Sequence, residues 1–162
     1  MSDQALYPFH VFRFHVDFME EKLTPSATRP VLLCSGAFSD CTGLEATMEP
    51  KVIQEGGRNY GAAQRVGKVT FATVILKRGI TPTSDLWTWF SLVNGGSYDH
   101  RRTATITIFD DTGKGVIAWK FLRALPTKFK TADLKATGGD VGVEELHFVH
   151  EGLSTATPRA QL

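Results

Sequence analysis

The histidines and the glutamate near the end of the chain are the best candidates for metal chemistry. The run His147-Phe148-Val149-His150-Glu151 contains three side chains of types that bind zinc. Its alternating apolar residues predict a strand, in which His147 and His150 point to opposite faces, and its order differs from the zinc-protease signatures. His10 and His15 likewise have opposite parity, so they could share an ion only across a bulge. We therefore expect no metal site.

Two loops have some features of phosphate and calcium sites but lack the groups that these ligands need. In residues 61–68 five residues rather than four separate the glycines, and Val69 stands where a magnesium-binding hydroxyl is required. Residues 110–115 lack the alternating acids of a calcium loop and fit a turn instead. No serine lies in a G-x-S-x-G elbow. The sequence predicts a protein that is not an enzyme, with no catalytic residue, no cofactor and no metal.

Three tryptophans leave one alternative of a different class open. Trp87, Trp89 and Trp119 could line an aromatic pocket in a monomeric ligand-binding β-barrel. Packing in the core and docking of a helix are the commoner uses of such side chains.

Composition indicates one soluble domain without an electrostatic partner. Of the 162 residues, 42% are apolar and 22% charged, and the net charge is +1, too small to attract nucleic acid or an anionic membrane. The basic pairs Lys77-Arg78 and Arg101-Arg102 are interpreted as solvated strand ends. Cys34 and Cys41 form no C-x-x-C unit, so we expect free thiols.

The ends and the hydropathy of the chain predict a cytoplasmic product. Residues 1–4 have no basic region of the kind that begins a signal peptide, and no run approaches the roughly 18 apolar residues that a membrane helix requires. We expect no membrane insertion by this protein.

The dominant hydropathy period is two, which predicts a mainly β fold. In residues 103–108, for example, alanine and isoleucine alternate with threonine. The predicted strands are residues 12–18, 31–38, 44–53, 66–80, 103–108, 116–125 and 143–150. We expect two packed antiparallel sheets that form a sandwich or barrel, with one helix on one side.

That helix follows the strand of residues 66–80. Thr81 or Thr83 is expected to cap it, Pro82 to occupy its first turn and Asp85 to complement its dipole, while residues 94–96, Asn-Gly-Gly, end it. A single apolar stripe at helical spacing is expected to dock on the sheet. The stripe consists of Leu86, Trp89, Phe90 and Val93.

The chain has no internal repeat or linker, so residues 1–162 are taken as one domain. Its core is expected at residues 9–153, with a flexible loop at residues 19–30 and a tail at residues 154–162. A glycine-rich tip at residues 54–61 lies between two predicted strands, a position typical of a loop that meets a partner.

Seven short segments, in order, resemble the tube proteins of contractile phage tails and related bacterial injection systems. The first is the strand of residues 12–16; the F-S-x-x-x-G-L-x turn, the E-G-G-x-N loop and the closing E-x-L-x-x-x-H-E-G-L stretch resemble family patterns. The segments are residues 12–16, 38–45, 55–59, 76–80, 86–89, 119–129 and 144–153. The resemblance covers about residues 9–153.

The resemblance implies a structural inner tube subunit whose sheets join between protomers. Hexameric rings would stack into a hollow tube within a contractile sheath and carry cargo protein or DNA. The implied partners are further copies of the chain, the sheath protein, and baseplate and terminal cap proteins. Assembly would take place in the bacterial cytoplasm, within a phage tail or phage-tail-like particle. The related ring-forming tube protein of type VI secretion is disfavoured by the long loop at residues 55–60.

Two sets of residues are assigned to the assembly. Small or polar side chains at alternating positions of two predicted strands suit a wetted bore, and the glycine-rich tip suits contact between rings. The proposed bore residues are Glu45, Thr47, Glu49, Lys68, Thr70 and Ala72. The proposed ring-stacking loop is Glu55, Gly56, Gly57, Arg58, Asn59 and Tyr60.

Overall fold

Antiparallel strands make up most of the part of the chain that the structure describes. This computed structural model describes residues 13–20, 32–57, 59–96 and 100–160, and for residues 32–37 the backbone only. Within these ranges the elements, in chain order, are β1 (Phe14–Glu20), β2 (Leu32–Ala37), β3 (Asp40–Thr42), β4 (Ala46–Met48), β5 (Lys51–Ile53), β6 (Ala63–Arg65), β7 (Val69–Phe71), β8 (Val74–Gly79), α1 (Asp85–Asn94), β9 (Arg102–Phe109), β10 (Gly115–Lys130), β11 (Val143–Val149) and β12 (Gly152–Ala156). The predicted mainly β fold with a helix is confirmed.

Strand β10 joins two sheets because it is long enough to belong to both. Its first part pairs with β9 on one side and β12 on the other, and its last part pairs with β11. Strands β1 and β2 extend the first sheet beyond β9, while β8 and β3 extend the second beyond β11. All of these pairings are antiparallel. The described strands of a single chain do not close into a barrel, since β2 and β3 remain at the two ends.

One core lies between the sheets and α1. Alternate residues of β1, β8, β11 and the first part of β9 enter it, so the period of two in the sequence becomes a buried face. The largest ring, Trp89 of α1, packs on Phe18 of β1 with centroids 5.0 Å apart. The buried members of the core are Val16, Phe18, Phe38, Val74, Leu76, Leu86, Trp89, Ala104, Ile106, Phe121, Ala124, Leu146 and Phe148.

Helix α1 begins later than expected and without a threonine cap. Its N-cap is Ser84, which has φ 49° and makes no side-chain cap hydrogen bond, so the expected caps Thr81 and Thr83 are wrong. The two threonine hydroxyls instead bond to each other. Asp85 does lie in the first turn, where its carboxylate accepts the Leu86 N–H at 2.9 Å. A carboxylate one residue inside the helix therefore satisfies a backbone donor at this end.

The end of α1 agrees with the glycine signal. The last helical residue is Asn94, and the N–H of Gly95 bonds to the Ser91 carbonyl at 2.9 Å. Gly96 has φ 91°, a backbone conformation that favours glycine. The helix therefore stops where the sequence indicated.

Buried ion pairs correct the interpretation of the two basic pairs. Arg78 is only 6% exposed and lies between Glu144 of β11 and Asp85 of α1, to both of which it donates hydrogen bonds. Arg102 is 4% exposed and lies 3.1 Å from a carboxylate oxygen of Glu20. The expectation that both arginines are solvated is wrong, because each occupies an inward-facing strand position.

Two predicted strands are broken where backbones pass closely. Residues 66–80 divide into β7 and β8, and residues 44–53 divide into β4 and β5. At the first break a Cβ on Gly43, which has φ 84°, would lie 2.0 Å from the Thr73 carbonyl oxygen. At the second, a Cβ on Gly67 would lie 1.5 Å from the Glu49 carbonyl oxygen. Glycine permits both approaches, and alternating hydropathy cannot reveal them.

Other boundaries shift by a few residues. Residues 19 and 20 belong to β1 rather than to the expected loop, and residues 21–30 lie outside the described ranges. The expected tail contributes residues 154–156 to β12, which pairs with β10. The strand of residues 116–125 continues to residue 130 as β10.

Candidate functional site

An extended arm, residues 45–72, contains the candidate bore residues and the glycine-rich tip. Strand β4 pairs with β7, and β5 pairs with β6, forming two short ladders separate from the large sheet. Their side chains are mostly exposed in the single chain. The arm is therefore held by its own hydrogen bonds more than by a core of its own.

The six candidate bore residues come together on one face of the β4–β7 ladder. Thr47 lies directly opposite Thr70 in the register. The backbone continues this pairing in both directions, because Ala72 N–H donates to the Glu45 carbonyl at 3.1 Å. At the other end, the Glu49 N–H donates to the Lys68 carbonyl at 3.4 Å. The three facing pairs are Glu45 with Ala72, Thr47 with Thr70, and Glu49 with Lys68.

Hydrogen bonds support the polar character of this face. The Thr47 hydroxyl donates to the Glu45 carboxylate at 3.2 Å, as expected for side chains two residues apart on one strand. The Thr70 hydroxyl reaches the Thr47 carbonyl at 3.4 Å. All of these residues are exposed except Ala72, which is partly buried.

The opposite face of the same ladder is apolar. Its two facing pairs are Ala46 with Phe71 and Met48 with Val69. Met48 and Val69 are each nearly half exposed. Phe71 contacts the main body, since its ring lies 4.8 Å from that of His150. The ladder thus has one polar and one apolar face, and neither is fully covered within one chain.

His150 lies where the arm meets the junction of β11 and β12. It is buried against Phe71, Phe121 and Phe148, and its Nδ1 lies 3.0 Å from the Gly152 carbonyl. A carbonyl only accepts, so Nδ1 carries the proton and donates it. Burial lowers the pKa of His150, and the bond to Gly152 offsets part of that effect. Burial thus favours the neutral ring, which packs between the arm and the main body.

The glycine-rich tip connects β5 to β6, whose ladder ends at the pair Ile53 and Ala63. Gly57 has φ 87°. A Cβ added to Gly56 or Gly57 would have no neighbouring atom within 4 Å. Tyr60 is 99% exposed. The tip is thus open to a partner; Arg58 of the candidate set lies outside the described residues.

The apolar stripe of α1 faces the core to different depths. Leu86 and Trp89 are buried, Val93 packs partly buried against the core, and Phe90 is partly buried. The Trp89 indole N–H also donates to the His100 carbonyl at 2.9 Å. These contacts fix the helix on the sheet.

The alternative of an aromatic ligand pocket is wrong because the three tryptophans do not converge. Trp89 lies in the core, whereas Trp87 is half exposed and stacks on Phe90. Trp119 lines a different feature, an open groove of about 330 Å³ that it shares with residues of β1, β3 and β9. The side chains required for a ligand pocket are thus in three different places.

The two C-terminal histidines considered as metal ligands lie apart from each other, and Cys41 is a partly buried thiol. His147 pairs with Glu145 on the same strand, while His150 is buried elsewhere. Among the described residues, no three histidine, cysteine or acidic side chains come together as a metal site. Cys41 is a free thiol whose pKa is raised to about 12, first by burial and then by the charge of Asp40. The side chain of Cys34 lies outside the description.

The ion pair of Arg78 was missed by sequence reasoning, although a signal existed. Residues 74, 76 and 78 share one strand face, and the first two are buried. Parity alone places the arginine inside, and a carboxylate at residue 144 has the matching parity on β11. Parity does not show, however, that β8 pairs with β11.

Comparison with known proteins finds a family whose sequence pattern covers most of the chain. A family model described as T4-like virus tail tube protein gp19 matches residues 10–154. None of the curated proteins compared with the chain matches it in sequence. The described residues contain no helix with the length and hydropathy needed to span a membrane.

Solved structures of contractile machines share the fold. A chain in the six-fold symmetrised baseplate of the anti-feeding prophage has a TM-score of 0.75 and 23% identity, covering 93% of this chain and 96% of its own. A chain in the extended sheath–tube complex of the extracellular contractile injection system PVC gives 0.73 and 20%, covering 94% and 93%. A type six secretion system protein gives 0.51 and 13%, covering 88% and 83%.

The family match spans most of the chain, including the arm, the helix and the closing strands. The chain therefore belongs to the family of T4-like virus tail tube proteins, and it is a structural tube subunit rather than an enzyme or a ligand-binding barrel.

Proposed function

We propose that this protein forms hexameric rings that stack into a hollow tube inside a contractile sheath. The polar face of the β4–β7 ladder lines the bore, and the tip at residues 55–60 contacts the next ring. Joining arms and sheets from neighbouring copies covers strand edges that a single chain leaves open. A heterologous interface that closes by rotation gives the ring, and axial contacts extend the stack.

The two-faced ladder is the observation that carries this proposal. A solvated hairpin needs no exposed apolar face, and a hairpin buried on both faces would not carry six polar or small residues on one of them. A ladder that separates a water-filled bore from packed protein requires one polar face and one apolar face. The pairing of Thr47 with Thr70 on one side and Met48 with Val69 on the other meets that requirement.

The proposed partners follow from the family and from the surroundings of the similar structures. Those structures are a baseplate, a sheath–tube complex and a tube-terminating cap. By analogy, this subunit binds further copies of itself, a sheath protein, and baseplate and cap proteins, and it assembles in the bacterial cytoplasm. Residues 1–162 act as one tube-protein domain.

The proposed cargo is protein or DNA that passes through the bore. The bore face mixes two carboxylates, Glu45 and Glu49, with the ammonium of Lys68 and two hydroxyls. Neither sign dominates strongly, so a passing chain meets no long stretch of like charge on which it would be held.

Electron microscopy of the purified protein, with light scattering on a size-exclusion column, tests the proposal. Rings or hollow tubes with six-fold end views are expected. A monomer that persists at high concentration, also when baseplate and sheath proteins are supplied, would contradict the proposal.

The tip assignment has a separate test. Replacing Gly56 and Gly57 with valine should leave rings but prevent long tubes, because Gly57 has a positive φ and the tip is the axial contact. Normal tubes from this variant would show that the tip does not join rings. A valine at Gly113 in the β9–β10 turn, which is equally open and also has a positive φ, is the control.

The bore assignment can be examined by labelling. A cysteine at Thr70, in a variant without Cys34 and Cys41, should place a bulky maleimide label inside the tube, visible as density in end views. A label at Ser91, on the exposed side of α1, should lie outside. Outside density from the Thr70 label would mean that the polar face does not line the bore.

A further inference from the structure

The outer half of the arm carries two cations that face each other. Lys51 of β5 lies directly opposite Arg65 of β6. Both are exposed, and neither has an acidic partner among the described residues. Like charges at facing positions of a ladder destabilise it. The inner ladder avoids this problem, because Glu49 lies opposite Lys68.

The loop between β10 and β11 carries the opposite charge in a concave surface. Residues 132–142 enclose a cup of about 410 Å³, which is lined by this loop alone. Asp133 and Asp140 lie in its lining, both exposed and without a cationic partner among the described residues. Lys135 also lies there, so the cup carries a net charge of about −1. We call this loop the acidic cup.

Exposed aliphatic side chains flank both charged surfaces. On the arm, Val66 follows Arg65 and is 79% exposed. In the loop, Leu134 is 91% exposed next to Asp133, and Val141 is 82% exposed next to Asp140. Aliphatic side chains this exposed, each next to an unpaired charge, mark two contact surfaces of opposite sign.

We propose that Lys51 and Arg65 of one copy dock into the acidic cup of a second copy, with Val66 meeting Leu134 and Val141. The contact relieves the repulsion between the two cations and removes three aliphatic side chains from water. It uses two different surfaces of the chain, so it is heterologous and each subunit can both give and receive it. This inference rests on the proposed tube assembly and names the surface that receives the arm.

Charge reversal with rescue tests the contact. Lys51→Glu with Arg65→Glu should raise the protein concentration at which rings or tubes form, and so should Asp133→Lys with Asp140→Lys. Each exposed pair contributes up to about fivefold to association, so losing both pairs is expected to raise that concentration by up to about 25-fold, and the new like-charge contacts raise it further. The four changes together restore opposite charges and the wild-type net charge, and should restore assembly.

Folding is checked by the melting temperature of each variant, which should stay near that of the wild type because all four positions are exposed. Asp111→Lys with Lys114→Glu, in the β9–β10 turn, is a reversal that should not affect assembly. Assembly of both double variants at the wild-type concentration would overturn the inference, as would a folded four-fold variant that does not recover. If the wild type itself never assembles, the proposed function fails instead.

A measurement on the unmodified chain guards against variants that do not fold. A carbodiimide couples lysine amines to carboxylates in direct contact. Tubes grown from a mixture of ¹⁵N-labelled and unlabelled protein should give peptides that join Lys51 to Asp133 or Asp140 across differently labelled copies. Tubes in which Lys51 couples only elsewhere, or only within one copy, would exclude the contact.

Discussion

Replacing Arg78 with methionine should destabilise the fold more than the same replacement of Lys77, the other charged residue of β8. Arg78 and its register partner Glu144 are 6% and 5% exposed, so both charges are removed from water. The guanidinium also binds Asp85 and lies 5.5 Å from the Phe38 ring. Methionine fills similar space but leaves both carboxylates without their cation.

The magnitude follows from this burial. Removing one partner of a buried ion pair costs about 3–5 kcal/mol, because the remaining charge stays desolvated. For a chain of this size that corresponds to a fall of about 6–20 °C in melting temperature. The neighbouring Lys77 provides a matched control: its ammonium lies 3.7 Å from Asp40, and both side chains are well solvated. Lys77→Met should therefore cost less than about 1 kcal/mol.

Urea unfolding followed by tryptophan fluorescence measures both variants, at a concentration where light scattering shows a monomer. The double variant Arg78→Met, Glu144→Met should recover more than half of the loss, since an apolar pair can replace a buried ion pair. If Arg78→Met costs no more than Lys77→Met, the arginine is not buried in solution and the argument is refuted.

Three further results follow from the packing. Trp89→Ala should cost about 3–5 kcal/mol of unfolding free energy, measured in urea, because its ring is fully buried. Gly67→Ala should impair tube formation in electron micrographs, since its Cβ would lie 1.5 Å from the Glu49 carbonyl. The lowered pKa of His150 means that the fold favours the neutral ring. Stability should therefore be unaffected by this group well above pH 6.5 and fall as the pH drops below 6.5, and His150→Phe should flatten that slope below pH 6.5.

Much of the fold could be predicted because a strand with one buried face leaves a period of two in the sequence. That period correctly marks β1, β9 and β11, and the helical spacing of Leu86 and Trp89 marks α1. Parity also groups Thr47 with Glu49, and Thr70 with Lys68, each pair on one side of its own strand. These features depend on local spacing alone.

The remaining features depend on contacts between distant segments. The close approaches at Gly43 and Gly67 divide two strands, yet a glycine within an alternating pattern has several possible meanings. Ser84 caps the helix with its backbone, so side-chain preference pointed to the wrong residues. Arg78 is buried because β8 pairs with β11, and only the paired sheet brings Glu144 to it.

The structure separates the residues that stabilise the fold from those that serve assembly. Trp89 and Phe18 lie in one continuous core, so changing them removes buried area from the single chain. The arm, apart from Phe71, leaves most of its side chains in water, so its loss removes little buried area until a second copy covers it. Variants in the core should therefore lower the melting temperature of the monomer, whereas arm variants should change the concentration at which tubes form. A tube protein needs that separation, because each subunit must fold before its partners arrive and must still present surfaces that only they can cover.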